Sequence, residues 1–472
     1  MTGYNPAAAW PPILLSAVLL LWPAALNGYP IVFADTGTYL SQAIEHYLGW
    51  DRPPFYSAFM LPLHMTLTLW PVIVVQGILA CHTLHLVRRV LLPARGNWFL
   101  LLFVGGLSGL TCLPWLTCEI MPDLFTPLLV LGLALLALAP ERLSGTERIW
   151  LVLLSAFMIA SQQSSVPLAI ALTAFLALLR PPTRVGGWMR LFAPTILAAV
   201  ALVSVNLVGH GRLSLSPFGN VFLLARVIYD GPGMDVLRRD CPQAGWRLCA
   251  ELDRFPATSD DFLWLPNSPV MRAGGHKAVS AEADAIIGRA LVCEPGRALK
   301  AFLANWWEQL TRFESGDGFE PWPDTVTPWI TREFPRFERA AYQSARQPQG
   351  RLGLPGWVAV LHSFVGLLGV ALCLISVLRP GRVPFGAETR RAAFRAGPEP
   401  ALRACPARKW FSPVVNPADA LAARFAAVVL FSLVAGAAIT GGLSAPHDRY
   451  QSRLIWLPPC IGALTLMRRG QQ

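Results

Sequence analysis

Apolar residues in this chain run in blocks of about one bilayer thickness, separated by short polar turns. A straight helix needs about 20 apolar residues to cross a hydrocarbon core. Stretches near that length recur at 10–27, 70–90, 97–117, 121–139, 191–209, 355–378, 421–441 and 453–467. Two stretches break the pattern. Segment 55–68 is apolar but short and carries Pro62, while 55–90 is too long for one crossing, so 55–68 is expected as an interfacial or re-entrant helix. Segment 149–179 is too long for one straight span at about 1.5 Å per residue. Polar "SQQSS" (161–165) and Pro167 interrupt its centre, and Arg148 and Arg180 flank it. Both ends then belong on one side, which predicts a hairpin of two short helices, 149–160 and 166–179. The expected fold is an all-α polytopic membrane protein of about ten membrane helices.

Residues 210–354 interrupt the apolar pattern. With 17 Lys/Arg and 17 Asp/Glu the block is neutral, and its helical periodicity from 280 to 313 predicts an α-rich external domain. Cys241 and Cys249 lie close together in it, and a bridge between them is expected on an oxidising side of the membrane. "FESGDGFEPWPD" (313–324) is Gly/Pro-rich and acidic and is expected as a solvated turn. The chain thus divides into an N-terminal membrane core (1–209, with a first external loop at 28–53), the external block (210–354) and C-terminal membrane helices (355–472). The last part holds an arginine-rich loop at 379–420, whose composition predicts poor order.

Composition agrees: 54% of residues are hydrophobic and only 14% charged, against about a quarter charged in soluble domains. The net charge of +11 is no nucleic-acid signature. Its excess sits in short loops, at Arg88, Arg89 and Arg95, at Arg142 and Arg148, at Arg180, Arg184 and Arg190, in 379–409, and at Arg468 and Arg469. Arginine-rich short loops mark the cytoplasmic side. Loop parity then puts both termini inside, and loop 28–53, the turn at Glu119, the block 210–354 and loop 443–452 outside. No basic residue precedes the first apolar run and no A-x-A site ends it, so a cleaved signal is not expected. Rich arginine, alanine and proline suit a GC-rich bacterial source, hence an inner membrane with a periplasmic domain. The nine cysteines form no CxxC pair. P-loop, H-E-x-x-H and G-x-S-x-G patterns are missing from the sequence. His82 and His85 of "CHTLH" are expected as interfacial histidines.

Candidate chemistry gathers at the outer loops. Asp35 and Tyr39 follow the first span, Arg52 opens "RPPFYSAFMLPLH", Glu119 and Asp123 share the turn "TCEIMPD", and His447, Asp448, Arg449 and Tyr450 lie in "SAPHDRYQSR". Polar groups near hydrocarbon are costly unless paired or lining a wet cavity. Simpler roles fit each site. Asp35 suits a cap for a helix beginning near Thr36, and Glu119 and Asp123 suit caps for the span 121–139. Arg449 and Arg453 suit snorkelling to headgroups. The sequence leaves both kinds of role open.

An acid soon after the first span, followed by "RPPFYSAFMLPLH", resembles the first external loop of the GT-C superfamily of membrane glycosyltransferases, of the polyprenyl-phosphate-sugar-dependent, mannosyltransferase- or aminoarabinose-transferase-like kind. "EIMPDLFTPLLVLGLALLAL" resembles their next outer turn and helix. Segment 149–179 is similar to their short hairpin, and "HDRYQSRLIWLPP" resembles the H-x-R-Y turn before a late span. The likeness covers 10–180 well, the C-terminus in part and the middle domain weakly. It implies transfer of a sugar from a polyprenyl-phosphate carrier to a lipid or glycan acceptor at the outer face. In that scheme Asp35 is the base, Arg449 the ligand of the lipid phosphate with Arg52 a second candidate, and Glu119 holds the acceptor or orients a partner. The candidate catalytic set is Asp35, Glu119 and Asp123; the substrate-binding set is Tyr39, Arg52, His447, Arg449 and Tyr450. One departure stands out: many members carry two adjacent acids in the first loop, but Thr36 follows Asp35. Members with paired acids use a divalent cation, which the lone acid does not favour; no metal site and no cofactor is expected. Competing readings are a non-enzymatic transporter or flippase, an O-antigen-ligase-like envelope enzyme, and a scaffold whose outer domain binds a partner.

Overall fold

A computed structural model describes residues 7–241, 243–379 and 417–469. The arginine-rich stretch 380–416 lies outside the described residues. Every named element among the described residues is a helix, and the extended pairing is one isolated parallel bridge, Ile31 with Glu119. Among the described residues five helical stretches are long and apolar enough to cross a membrane: Ala7–Asn27, Trp70–Leu91, Val185–His210, Gly356–Leu378 and Asp419–Leu443.

Breaks in the other apolar stretches follow local chemistry. α1 (Trp10–Leu19) and α2 (Trp22–Asn27) each carry proline in the first turn, where its missing N–H costs nothing. Gly28, at φ 86°, ends α2 in the left-handed region. α3 (Ala34–Glu45) follows, then α4 (Phe55–His64) and α5 (Trp70–Leu91), with left-handed Met65 and Thr66 between the last two. The expected span 97–117 is instead α6 (Phe99–Leu110) and a separate short α7 (Leu113–Cys118), with Pro114 in the first turn of α7. After a 3₁₀ turn at Pro122–Leu124 comes α8 (Phe125–Leu138). The stretch 149–179 breaks at 162–164 into α9 (Gly145–Ser161) and α10 (Ser165–Leu179). α9 starts on a capping box, in which Ser144 and Glu147 exchange side-chain-to-backbone bonds. α11 (Val185–His210) leads into the polar block.

That block forms two different things. α12 (Gly219–Tyr229), α13 (Pro232–Asp240), α14 (Ser259–Trp264), α15 (Pro269–Arg272) and α16 (Gly275–Cys293) enclose their own core around Val221, Leu237, Leu248, Phe262 and Ile286. A Cys241–Cys249 disulfide closes a loop at its edge, and Trp50 from the first loop packs against it. The remainder returns to the membrane helices. α17 (Pro295–Thr311) lies along α21 (Pro417–Leu443), where a Cβ on Gly442 would meet the Phe302 ring at 2.1 Å. α18 (Thr327–Glu333) and α19 (Arg336–Ser344) join the larger core through Val326, Ile330, Phe334 and Tyr342. Buried Glu338 is the anchor there: its Oε1 accepts the Tyr29 hydroxyl (2.7 Å) and the Leu69 N–H (2.9 Å). Gln347 makes a matching pair of bonds with the Val32 backbone.

The expectation of a solvated turn at 313–324 needs correction. Phe319 is buried and packs tilted on Trp115, with ring centroids 5.0 Å apart, and Trp322 packs on Phe33 with ring centroids 5.1 Å apart. Gly318, at φ 88°, has the Phe33 ring 2.2 Å from where a Cβ would stand. The acids face outward while the aromatic residues fold inward.

α20 (Gly356–Leu378), α21, α22 (Asp448–Ile455) and α23 (Leu457–Arg469) complete the chain. α20 packs on α23 so closely that a Cβ on Gly369 would sit 2.2 Å from the Pro459 backbone nitrogen. Gly369→Val should therefore destabilise the protein by about 1–3 kcal/mol through overpacking. Gly106→Ala in α6, with nothing within 4 Å, should leave the melting temperature in detergent unchanged.

Candidate functional site

Backbone pairing brings the first loop to the 119 turn. The Ile31 N–H donates to Cys118 O (2.9 Å), and the Ile120 N–H donates to Ile31 O (2.8 Å). Thr36 secures the junction: its hydroxyl accepts the Phe33 N–H (2.9 Å) and donates to Ile120 O (2.9 Å). Gln76 of α5 donates to Thr117 O and Glu119 O and accepts the Tyr56 hydroxyl at 2.6 Å. Asp35 and Glu119 are thereby held on neighbouring segments before any side chain is considered.

A chain of ion pairs then crosses the site. The Asp35 carboxylate is 2.8 Å from Arg52 Nη2 and 3.7 Å from Arg449 Nη2. Arg449 Nε lies 4.0 Å from Asp123 Oδ2, and Asp123 Oδ1 is 2.8 Å from Arg453 Nη1. Gln162 also donates to Asp123 Oδ1 (3.3 Å), and Arg453 Nη2 donates to Ser164 (3.3 Å). Arg449 and Arg453 are one turn apart on α22, so both face the same way. The Arg449 guanidinium is 4.0 Å from the centre of the Phe33 ring, a cation–π contact in a partly dry setting.

Three simpler roles give way to this geometry. The N-cap of α3 is Phe33, and the Asp35 carboxylate turns to two arginines. Asp123 is engaged by Arg453 and Gln162 rather than by helix N–H groups. Arg453 is 2% exposed and Asp123 1%, so Arg453 reaches inward and does not snorkel. Asp35 (18%), Arg52 (21%) and Arg449 (12%) form the accessible rim.

The other candidates take varied places. Tyr39 is buried beneath the rim, edge-on to Tyr56. The Tyr450 ring centre is 5.5 Å from the Arg449 guanidinium and 5.4 Å from that of Arg453. His447 is not brought to the acids: its Nε2 is 3.4 Å from Asp260 of α14. α14 therefore borders both sides of the rim, because its Trp264 ring lies 5.4 Å from the Arg52 guanidinium. The loop 313–324 adds Asp317, which accepts the Arg449 backbone N–H at 3.1 Å, and Arg312 holds Asp448. Asp317, Arg453, Gln162 and Ser164 were not picked from sequence for the site. The polar "SQQSS" interruption inside an apolar hairpin was the available signal for the last two.

The rim carboxyl Asp35 and the buried carboxyl Glu119 differ in charge state. Burial pushes Asp35 up, but the charges of Arg52 and then Arg449 outweigh it and hold the carboxyl below its usual range. Burial, and next the charge of Asp123, push Glu119 in its turn up to about 8. Glu119 Oε1, Asp123 Oδ2 and Arg449 Nη1 are buried with no hydrogen-bond partner among the described residues. Among the described residues no three His, Cys, Asp or Glu side chains gather as a metal-ligand set.

No protein-family model, curated protein or solved structure matches this chain.

Arg453→Ala leaves buried Asp123 with only the longer Arg449 contact and the Gln162 hydrogen bond, and should cost about 3 kcal/mol. The pair replacement Asp123→Asn with Arg453→Met should cost clearly less, as read from thermal melts. Glu119 holds its proton more tightly folded than unfolded, so the stability it confers is full below its usual 4.5 and is lost as pH rises through about 8. Glu119→Gln should flatten that decline when melting temperatures are compared across this range.

Proposed function

We propose that this protein is a membrane glycosyltransferase of the GT-C kind, moving a sugar from a polyprenyl-phosphate carrier to a lipid or glycan acceptor at the outer face of a bacterial inner membrane. The observation that carries the reading is the approach of Asp35 to Arg449, 3.7 Å apart though 414 positions separate them. The ten-crossing arrangement goes with it: α6 with α7, α8, α9, α10, and α22 with α23 join the five long helices. Both termini are then cytoplasmic and the α12–α16 unit periplasmic.

The chemistry is an inverting displacement. The acceptor hydroxyl oxygen forms a bond to the anomeric carbon, and the bond from that carbon to the carrier phosphate oxygen breaks with its electron pair. Asp35 takes the hydroxyl proton. Arg449 and Arg52 balance the charge that grows on the phosphate. The resting pairs make the order of events physical. Arg449 is the longer of the two contacts to Asp35 and keeps an unbonded buried Nη1. An arriving phosphate draws Arg449 away, removes one charge that depressed the acid, and leaves Asp35 a stronger base. Glu119, holding its proton, donates to the acceptor or to the sugar.

A transport path is disfavoured because residues 72–87, 99–118, 124–139, 151–179, 191–209, 357–378, 425–446 and 454–467 contain no Asp, Glu, Lys or Arg. Charged groups lie at the two ends of the bundle rather than along a route. A second reading, a purely structural ionic lock, is favoured by the double pairing of Asp35. Asp35→Asn separates the two. In proteoliposomes supplied with polyprenyl-phosphate-linked sugars, the transferase reading expects a fall in turnover of about 10²–10⁴-fold with the melting temperature little changed. The lock expects a lowered melting temperature and no donor-dependent transfer by the wild type. Arg449→Ala should lower kcat as well as raise KM for the donor, because the charge it balances grows in the transition state.

A further inference from the structure

α8 joins two polar ends. Asp123 precedes its first residue; at its last turn, about 20 Å away at 1.5 Å per residue, the chain opens a cleft of about 470 Å³. Arg148 of α9, Arg180 and Arg184 of the α10–α11 connection, and Arg190 of α11 line it, with Glu141 as the acid in the lining. Four arginines and one acid thus line a single concavity.

Two of the arginines are fixed. Arg180 donates to the Leu138 and Ala137 carbonyls and lies 3.6 Å from Glu141. Arg190 Nε donates to Leu136 O at 3.3 Å. They satisfy carbonyls that the end of α8 leaves without helical partners. Among the described residues the Arg148 side chain is tied through its Nε alone, to Ser144 O, and Arg184 stands just ahead of α11 with no side-chain hydrogen bond, so both have guanidinium nitrogens to offer. Gly186, in the first turn of the 26-residue α11, also lines the cleft. It puts backbone rather than a side chain there, at the helix end that favours negative charge.

The flank is apolar. Val185, Trp188, Met189 and Phe192 are exposed on α11, a helix long and apolar enough to span a membrane. Exposed large apolar side chains on such a helix meet lipid, and tryptophan prefers the headgroup level. A ligand with a phosphate in the cleft would therefore have hydrocarbon beside it. A free anion would use the arginines and leave this flank unused.

We infer that the cleft binds a phosphate ester, and specifically the phosphodiester headgroup of an anionic phospholipid in the leaflet opposite the Asp35 site, its chains lying along α11. The inference does not rest on the transferase reading. Basic pockets between membrane helices select anionic headgroups by charge and shape.

The test uses the full chain in phosphatidylcholine nanodiscs, titrated with phosphatidylglycerol, with retained lipid counted by native mass spectrometry and melting temperature followed in parallel. Saturable retention of phosphatidylglycerol is expected. Arg148→Gln with Arg184→Gln should weaken it about 30-fold, roughly fivefold per arginine. Arg184→Gln alone, which breaks no side-chain hydrogen bond among the described residues, carries the test if the double variant does not fold. Arg95→Gln, on a different loop at the same end, should retain lipid like the wild type. Equal retention by the double variant, or equal loss in Arg95→Gln, would overturn the inference by reducing the arginines to general surface charge. Inorganic phosphate that competes with the lipid at equal concentration would overturn the lipid assignment in favour of a soluble phosphate.

Discussion

The buried pair of Asp123 and Arg453 is the interaction on which the site depends. Removing two charges from water is expensive, and their attraction repays it only with good geometry and further hydrogen bonds. Here Gln162 and Ser164 supply those bonds from the break between α9 and α10. One pair therefore ties the start of α8, the tip of the hairpin and α22. The same helix then presents Arg449 one turn earlier, and it is this placement that carries Arg449 to Asp35. A charge pair that adds little net stability still fixes which residues meet.

The outer segment 313–352 completes the arrangement from the opposite direction. Glu338 and Gln347 bond to backbone at Leu69 and Val32, so the segment is part of the scaffold on which α3 begins. Phe319 and Trp322 cover the inner aromatic residues while Asp317 holds the backbone of Arg449. The two neighbouring carboxyls end in opposite states. Asp35 is ionised between two arginines, and Glu119 is pushed toward its neutral form by burial and by Asp123. Carboxyls whose environments push their proton affinities apart suit complementary proton roles.

The apolar blocks, the short arginine-rich turns and the neutral middle block were legible because they depend on local composition. The break of 149–179 at its polar centre was legible for the same reason. Prolines and polar residues end helices through their own backbone chemistry, without help from distant contacts. The division of 97–117 into α6 and α7 was not read, although Thr111 and Pro114 mark the break locally, because the run's apolar length matched a single span. The loop 313–324 was misread because its acids and glycines outweigh two aromatic residues in composition, whereas the aromatic pair decides its packing.

What the sequence determined by itself was the helical, membrane-spanning character of the chain and the set of polar residues near the helix ends, since both follow from solvent preference and helix length. What only the tertiary structure decided was partnership: Asp35 with Arg52 and Arg449, Asp123 with Arg453, His447 with Asp260 instead of the acids. Capping, snorkelling and ion pairing satisfy the same residue equally well in isolation. The choice among them rests on desolvation and on distances between segments hundreds of positions apart, and those quantities exist only once the helices have packed.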